Sequence, residues 1–329
     1  MAVRAGINGF GRFSLHLLKF WLVRRERAKF EIAYINDDTL TLEQSVRIIN
    51  DDPYVDYTSD FKVSGEAGAL IVDSPGGERL SIPYSKTDKD QIPWLGEPEI
   101  VLECSGKHAN APACQIYLQG KTKLVAISAT SWDADATLVY GFNHESFDPQ
   151  KHRVISYGSC TVNGYVPLAH YIHEQFGIID SDVHVVHNVV RHRLDEHRTL
   201  LRKNCTLEQS APLLLPEIVD DKKNFAVIYT VVPWDGVSMI DYRFRVKRPP
   251  KDKAALLQNL KQAMTEGPLI GLYGLASTDE GPKAHQGTTY SAVFIESGIR
   301  LLNDTLHLQS YFDTENSVNR YFDLINHIA

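Results

Sequence analysis

The stretch VRAGINGFGRFSLHLLKFWLV, residues 3–23, decides the first half of the fold. Val3 to Asn8 is short and apolar and runs into Gly9, so it reads as a buried parallel strand. Gly9-Phe10-Gly11-Arg12-Phe13-Ser14 follows at once, and then a helix-periodic apolar run begins. A strand, a glycine-rich turn and a helix in that order are the context in which a dinucleotide-binding turn is expected. Gly9 permits the tight turn, and Gly11 lets the backbone approach a pyrophosphate at the helix N-terminus. Gly9, Phe10, Gly11, Arg12 and Phe13 are therefore the candidate cofactor-binding residues of this turn. Ser14 stands where a third glycine is usual, and is small enough for close packing of helix on strand.

Working outward, Phe30 to Ile35 reads as the next strand and ends in Asn36-Asp37-Asp38. An acidic residue at this strand end can accept hydrogen bonds from an adenosine ribose and repels a 2′-phosphate. Asp37 is the expected ribose acceptor, and NAD rather than NADP the expected cofactor. Residues 68–85, GALIVDSPGGERLSIPYS, hold two strand-like runs around Pro75-Gly76-Gly77, a hairpin signal. Ile100 to Glu103 reads as a buried strand leading into Cys104-Ser105-Gly106, with a helix expected through Gln119. Lys123 to Ser128 is a further strand. Ser105, Gly106 and Ser128 fall where strand ends would border the cofactor crevice. Strands alternating with helical stretches predict an α/β fold with a doubly wound (Rossmann) parallel sheet.

The chain has 329 residues, enough for two domains that each bury a core. A net charge of −7 argues against a nucleic-acid partner, because phosphate backbones need a basic face. No apolar run approaches the roughly 20 residues that span a bilayer, and MAVRAGINGF carries no signal-peptide pattern. The four cysteines lack CxxC spacing, so neither a disulfide framework nor a metal site is expected, and a reducing, cytoplasmic setting is.

A second stretch, VISYGSCTVNGY at residues 154–165, carries the chemistry. It reads as a strand, a turn through Tyr157 and Gly158, and a helix opening at Cys160. A thiol at a helix N-terminus has its thiolate favoured, and the N–H groups there can stabilise an oxyanion. The alternative is a small buried hydrophobe, which most free cysteines are. Downstream, DVHVVHNVV is a β-branched strand in which Val183, Val185, His187 and Val189 share one face. A histidine there is either a satisfied structural group or the base that activates Cys160. Arg191 to Lys203 is basic, either a solvated face or an anion-facing loop. Helix, long strands and a final capped helix, DTENSVNRYFDLINHI, follow, with polar alternation in DYRFRVKR leaving one sheet face wet or in an interface. An α+β domain with a mostly antiparallel sheet is predicted. The expected division is residues 1–157 and 158–312, with the helix of residues 313–329 packed back on the first.

These pieces, in this order, resemble the glyceraldehyde-3-phosphate dehydrogenase family over essentially the whole chain. GINGFGR (Gly6 to Arg12), IND (Ile35 to Asp37), VLECSG, VAISA, SCTVN (Ser159 to Asn163), LLLPEI, VSMIDY and YFDTEN are similar to family segments. Cys160 and His187 are 27 positions apart, the family's cysteine–histidine spacing. The resemblance implies an NAD-dependent oxidation in which the Cys160 thiolate attacks an aldehyde. His187 would serve as base, and a thioacyl enzyme would be resolved by inorganic phosphate.

The departures limit that transfer. The threonine and arginine with which the family holds a substrate phosphate fall at Val190 and Val231. The segment after His187 is about fourteen residues short, and Thr314 replaces the asparagine that holds the nicotinamide. Ser159 and Thr161 remain as anion donors, with Arg191, Arg193 and Arg198 as candidates for a relocated anion site. Three readings follow: an aldehyde dehydrogenase with altered substrate, an ordinary phosphorylating glycolytic enzyme, or a cofactor-binding paralogue without turnover. The family also implies a homo-oligomer, a dimer or a tetramer.

Overall fold

The computed structural model describes residues 2–51, 57, 59–188, 204–232, 237–312 and 314–329, with the side chains of Thr314 and Glu315 outside the description. The chain divides into two compact units. Unit 1 comprises residues 1–138, 143–158 and 321–329, and unit 2 residues 139–142 and 159–320.

Unit 1 is built on strands β1 (Val3–Asn8), β2 (Phe30–Asn36), β3 (Lys62–Glu66), β4 (Ala69–Asp73), β5 (Arg79–Ser85), β6 (Ile100–Glu103), β7 (Leu124–Ile127), β8 (Ala136–Thr137) and β9 (Val154–Ser156). Their order is β3-β4-β5-β2-β1-β6-β7-β9-β8. Pairing is parallel from β5 to β8, and only the β3-β4-β5 meander is antiparallel. The chain moves outward one way from β1 to β2 and the other way to β6. The crevice at the carboxyl ends of β1 and β6 is thus the sheet's switch point, where α/β folds bind ligands.

Helix α1 (Arg12–Val23) buries Leu15, Leu18 and Leu22 on one stripe, with Trp21 donating its indole N–H to the Phe30 carbonyl at 2.9 Å. Helix α2 (Leu42–Asp51) follows β2. The helix expected through Gln119 is much shorter. Helix α3 (Ala111–Cys114) has four residues and passes into a 3₁₀ turn, Gln115–Tyr117. Pro112 fits only the first turn, because it has no N–H to donate further in. Asn110 therefore caps the start, its side chain accepting from Ala113 N at 2.9 Å.

Unit 2 contains α4 (Cys160–Phe176), β10 (Ile178–Asn188), α5 (Thr206–Leu214), β11 (Phe225–Val232), β12 (Ser238–Val246), α6 (Lys253–Thr265), β13 (Tyr273–Ala276), β14 (Ala292–Ile295), β15 (Arg300–Leu302), β16 (Thr305–Phe312) and the start of α7 (Thr314–Ile328). The sheet runs β11-β10-β12-β16-β14-β13, with β15 on β16. It is mostly antiparallel, as expected, with parallel pairing of β10 with β11 and of β13 with β14. On β12, Tyr242, Phe244 and Val246 are buried while Arg243 and Arg245 face outward, paired across the strands with Asp182 and Asp180.

Pro167 lies inside α4 and cannot donate to the Asn163 carbonyl four residues back. Two buried phenols take over the carbonyls this releases. Tyr273 donates to the Asn163 and Gly164 carbonyls at 3.3 and 3.1 Å, and Tyr242 to the Gly164 carbonyl at 2.9 Å. The opening turn of α4 is thereby fastened to the sheet beneath it. In unit 1, the end of α7 is held by Tyr321, whose hydroxyl donates to the Ala126 carbonyl at 2.6 Å. Among the described residues no helix is long and apolar enough to cross a membrane.

Candidate active site

At the switch point of unit 1, Gly9 has φ +90°, and a Cβ there would lie 2.3 Å from the Ser105 backbone. Glycine is dictated at this position by the contact between β1 and the turn after β6. Gly11 is different: a Cβ would meet nothing within 4 Å, and the start of α1 carries no side-chain cap. Gly11 is exposed at the positive end of the helix, with room for an anion. Ser14 is fully buried and does more than spare volume, donating its hydroxyl to the Gly9 carbonyl at 2.5 Å.

Asp37 closes the turn. Its carboxylate accepts from Phe10 N at 2.6 Å, Thr39 N at 2.8 Å and Leu40 N at 2.7 Å, which leaves one oxygen with a spare lone pair. Its neighbour Asp38 is engaged by Lys107, whose Nζ donates to both oxygens at 2.7 Å. That ion pair and local hydrogen bonds hold the Asp38 carboxyl below its ordinary range against the opposing effect of burial. The side chains of Phe10 and Phe13 are engaged within unit 1. Phe10 is in the core, and Phe13 packs edge-on against Tyr157 and Tyr321, so only the backbone of these two residues serves the turn.

Beneath the crevice lies a buried network of which the sequence shows only the polar ends of two strands, Asn8 and Glu103. Glu103, almost fully buried at the end of β6, accepts from Asn8 Nδ2 and the Tyr117 hydroxyl at 2.8 Å on one oxygen. Its other oxygen accepts from Ser105 N and Oγ at 2.9 and 2.5 Å. Four donors make the burial of this carboxylate tolerable. The Ser105 hydroxyl is thus used structurally, Gly106 turns with φ +70°, and Ser128 N bonds the Glu103 carbonyl at 2.9 Å.

In unit 2, Cys160 is the first residue of α4, and Ser159 is its N-cap, accepting from Val162 N at 3.3 Å. The Cys160 Sγ lies 3.6 Å from His187 Nε2. His187 Nδ1 is 2.8 Å from the Asn188 carbonyl, which can only accept, so Nδ1 carries a proton and, in the neutral ring, Nε2 is the acceptor turned to the sulfur. Asn188 is held in turn by Ser238, which accepts from Asn188 N at 3.0 Å and donates to Asn188 Oδ1 at 3.1 Å. If this chain of contacts aims the imidazole, Ser238→Ala will lower aldehyde turnover by about 10-fold at unchanged melting temperature, short of the 10²-fold that a 1 Å misplacement costs.

The other three cysteines are buried. Burial pushes the Cys104 and Cys114 thiols up to about 12 and the Cys205 thiol up to about 11. At pH 8, iodoacetamide is therefore expected to label Cys160 at least about 10-fold faster than any of them, as peptide mass spectrometry would read.

Around the sulfur, the Ser159 hydroxyl lies 3.1 Å from that of Thr161 and 3.0 Å from that of Thr206, the first residue of α5. Thr206 was not anticipated. It brings a second helix start, and a third hydroxyl, to the head of α4. Val231 is buried and directly opposite His187 in the parallel register of β10 and β11, so this position carries no charge where the family resemblance puts an arginine. Val190, Arg191, Arg193 and Arg198 lie outside the described residues, as does the Thr314 side chain. Among the described residues no three His, Cys, Asp or Glu side chains are grouped to hold a metal.

No protein-family model matches the chain. Comparison with curated proteins gives relatives along nearly all of it. Glyceraldehyde-3-phosphate dehydrogenase of Geobacillus stearothermophilus is 28% identical, covering 100% of this chain and 99% of the relative. Glyceraldehyde-3-phosphate dehydrogenase 1 of Bacillus cereus is 28% identical over 98% and 97%. Glyceraldehyde-3-phosphate dehydrogenase 2 of Nostoc sp. is 25% identical over 95% and 94%. End-to-end similarity at this level, on a Rossmann-type sheet followed by a mixed sheet, supports a divergent member of the glyceraldehyde-3-phosphate dehydrogenase family.

Proposed function

We propose that the protein is an NAD-dependent aldehyde dehydrogenase of the glyceraldehyde-3-phosphate dehydrogenase type, acting on an aldehyde other than glyceraldehyde 3-phosphate. The observation that carries this reading is the 3.6 Å contact between Cys160 Sγ and Nε2 of His187, whose Nδ1 is engaged by the Asn188 carbonyl. His187 accepts the thiol proton, and the sulfur adds to the aldehyde carbon to form a thiohemiacetal. The N–H groups at the start of α4 stabilise the oxygen as charge develops on it. His187 returns its proton to that oxygen and takes it back as hydride leaves the carbon, and a thioacyl group remains on Cys160. Attack on that carbonyl by a nucleophile releases the acid product and restores the thiol.

The crevice of unit 1 suits a dinucleotide, because a Cβ at Gly11 would occupy the open space left at an uncapped helix start. Gly9 to Arg12 would hold the pyrophosphate, and Asp37 the ribose through its spare lone pair. When bound, NAD supplies the hydride acceptor. The acidic pair Asp37 and Asp38 favours NAD over NADP.

One feature favours the ordinary phosphorylating activity as a second reading. The hydroxyls of Ser159, Thr161 and Thr206 meet at two helix starts, a setting that accepts an anion such as inorganic phosphate. Against it stands Val231, which cannot supply the charge or paired donors of an arginine to the substrate's own phosphate. Arg191 or Arg193 would restore an anion site if their single replacement raised the aldehyde KM. The test is a NADH-release screen of phosphorylated and plain aldehydes, with and without phosphate, using Cys160→Ser as blank. Phosphate-dependent NADH with glyceraldehyde 3-phosphate alone would establish the ordinary enzyme. Cofactor binding without NADH from any aldehyde would leave only a paralogue with a regulatory or interaction role. A homo-oligomer, dimer or tetramer, is part of the proposal, and sedimentation velocity tests it.

A further inference from the structure

One side chain beside Cys160 has no part in the chemistry above. On β11, Val227, Tyr229 and Val231 face the buried side, and the register sets Tyr229 beside Val185 and Val231 beside His187. The Tyr229 and His187 rings have centroids 5.7 Å apart, and Phe312 approaches His187 edge-on at the same centroid distance. Tyr229 and Cys160 are both partly buried and pack against the same core.

The phenol is pushed above its ordinary range first by burial and then by the nearby sulfurs of Cys160 and Cys205. It therefore stays protonated at any pH where Cys160 would act, and is a donor. Among the described residues its hydroxyl makes no hydrogen bond. Such an O–H can donate to a ligand oxygen that comes within reach. Val231 and Phe312, which flank His187, are apolar.

We propose that Tyr229 is a specificity-determining residue whose hydroxyl donates a hydrogen bond to a hydroxyl or keto oxygen of the substrate, so that the site selects oxygen-bearing aldehydes over simple alkyl aldehydes. This rests on the reading of Cys160 as nucleophile. A site built to bond a substrate oxygen rejects the analogue lacking it strongly, because its own polar group is then left unpaired.

The experiment needs neither cofactor nor turnover, because thiohemiacetal formation alone shields the sulfur. The rate at which iodoacetamide alkylates Cys160 is followed by peptide mass spectrometry against rising glyceraldehyde or propanal, three-carbon aldehydes that differ in their hydroxyls. Wild type and Tyr229→Phe are compared for each aldehyde, so that intrinsic aldehyde reactivity cancels. The expected result is that the variant raises the half-protecting concentration of glyceraldehyde about 10-fold and that of propanal less than about twofold. Equal shifts for both, or none for either, overturn the role of Tyr229 while leaving Cys160 as nucleophile. Failure of both aldehydes to protect wild-type Cys160 overturns the nucleophile reading and this inference with it. The variant removes one unpartnered oxygen, and an unchanged melting temperature confirms that it folds.

Discussion

Cys160→Ser is expected to abolish NADH formation, lowering kcat by at least about 10⁴-fold with any aldehyde that the wild type oxidises. The substitution is isosteric at the first turn of α4. The cap from Ser159 and the Tyr242 and Tyr273 bonds that fasten the helix do not involve the sulfur. The fold and cofactor affinity should therefore be unchanged, and the loss should fall on kcat rather than on NAD binding. A serine hydroxyl next to the same histidine is a far weaker nucleophile toward an aldehyde, so the covalent step fails. His187→Asn should cost less, roughly 10²–10⁴-fold, because the helix start would still favour some thiolate. Steady-state rates at saturating NAD, with calorimetric NAD affinities alongside, distinguish lost chemistry from lost binding.

The second large effect concerns the two glycines of the turn, which should separate cleanly. Gly9→Ala puts a methyl group 2.3 Å from the Ser105 backbone at a φ of +90°, and neither strand β1 nor the turn after β6 can withdraw without breaking the Glu103 network. A loss of about 3 kcal/mol or more is expected, which corresponds to a fall in melting temperature of roughly 6–12 °C for a unit of this size. Gly11→Ala meets open space and should melt within about 1 °C of wild type. Its methyl would instead stand where the pyrophosphate is proposed to lie, and NAD affinity should fall about 10-fold or more, a loss of roughly 1.4 kcal/mol. Calorimetric unfolding and NAD titration of both variants check this. If Gly11→Ala binds NAD normally, the cofactor does not sit on that turn.

What was legible in the sequence was mostly local. Gly9, Gly11 and the apolar stripe of α1 announce strand, turn and helix, because their neighbours in space are their neighbours in the chain. Cys160 and His187 were readable through order and spacing, and the sheet brings them together. Other features depend on register or on distant partners. Nothing near Tyr229 reveals that the parallel pairing of β10 with β11 sets it against His187. Thr206 reaches Ser159 across 47 positions. Its one sequence signal was a threonine just before a helical run. The Glu103 network was half visible, since Asn8 and Glu103 are polar residues ending two buried strands, but their adjacency follows from strand order. The helix expected through Gln119 failed on Pro112, whose missing N–H fixes it in the first turn whatever the surrounding periodicity.

The most direct test of the central claim is a rapid-quench reaction of the enzyme with NAD and an aldehyde that it oxidises, in the absence of phosphate. NADH release and the mass of the Cys160 peptide would be followed together. The account predicts a burst of one NADH per chain, matched by one acyl group on Cys160. NADH formed with Cys160 unmodified, or an acyl group on any other residue, would contradict it.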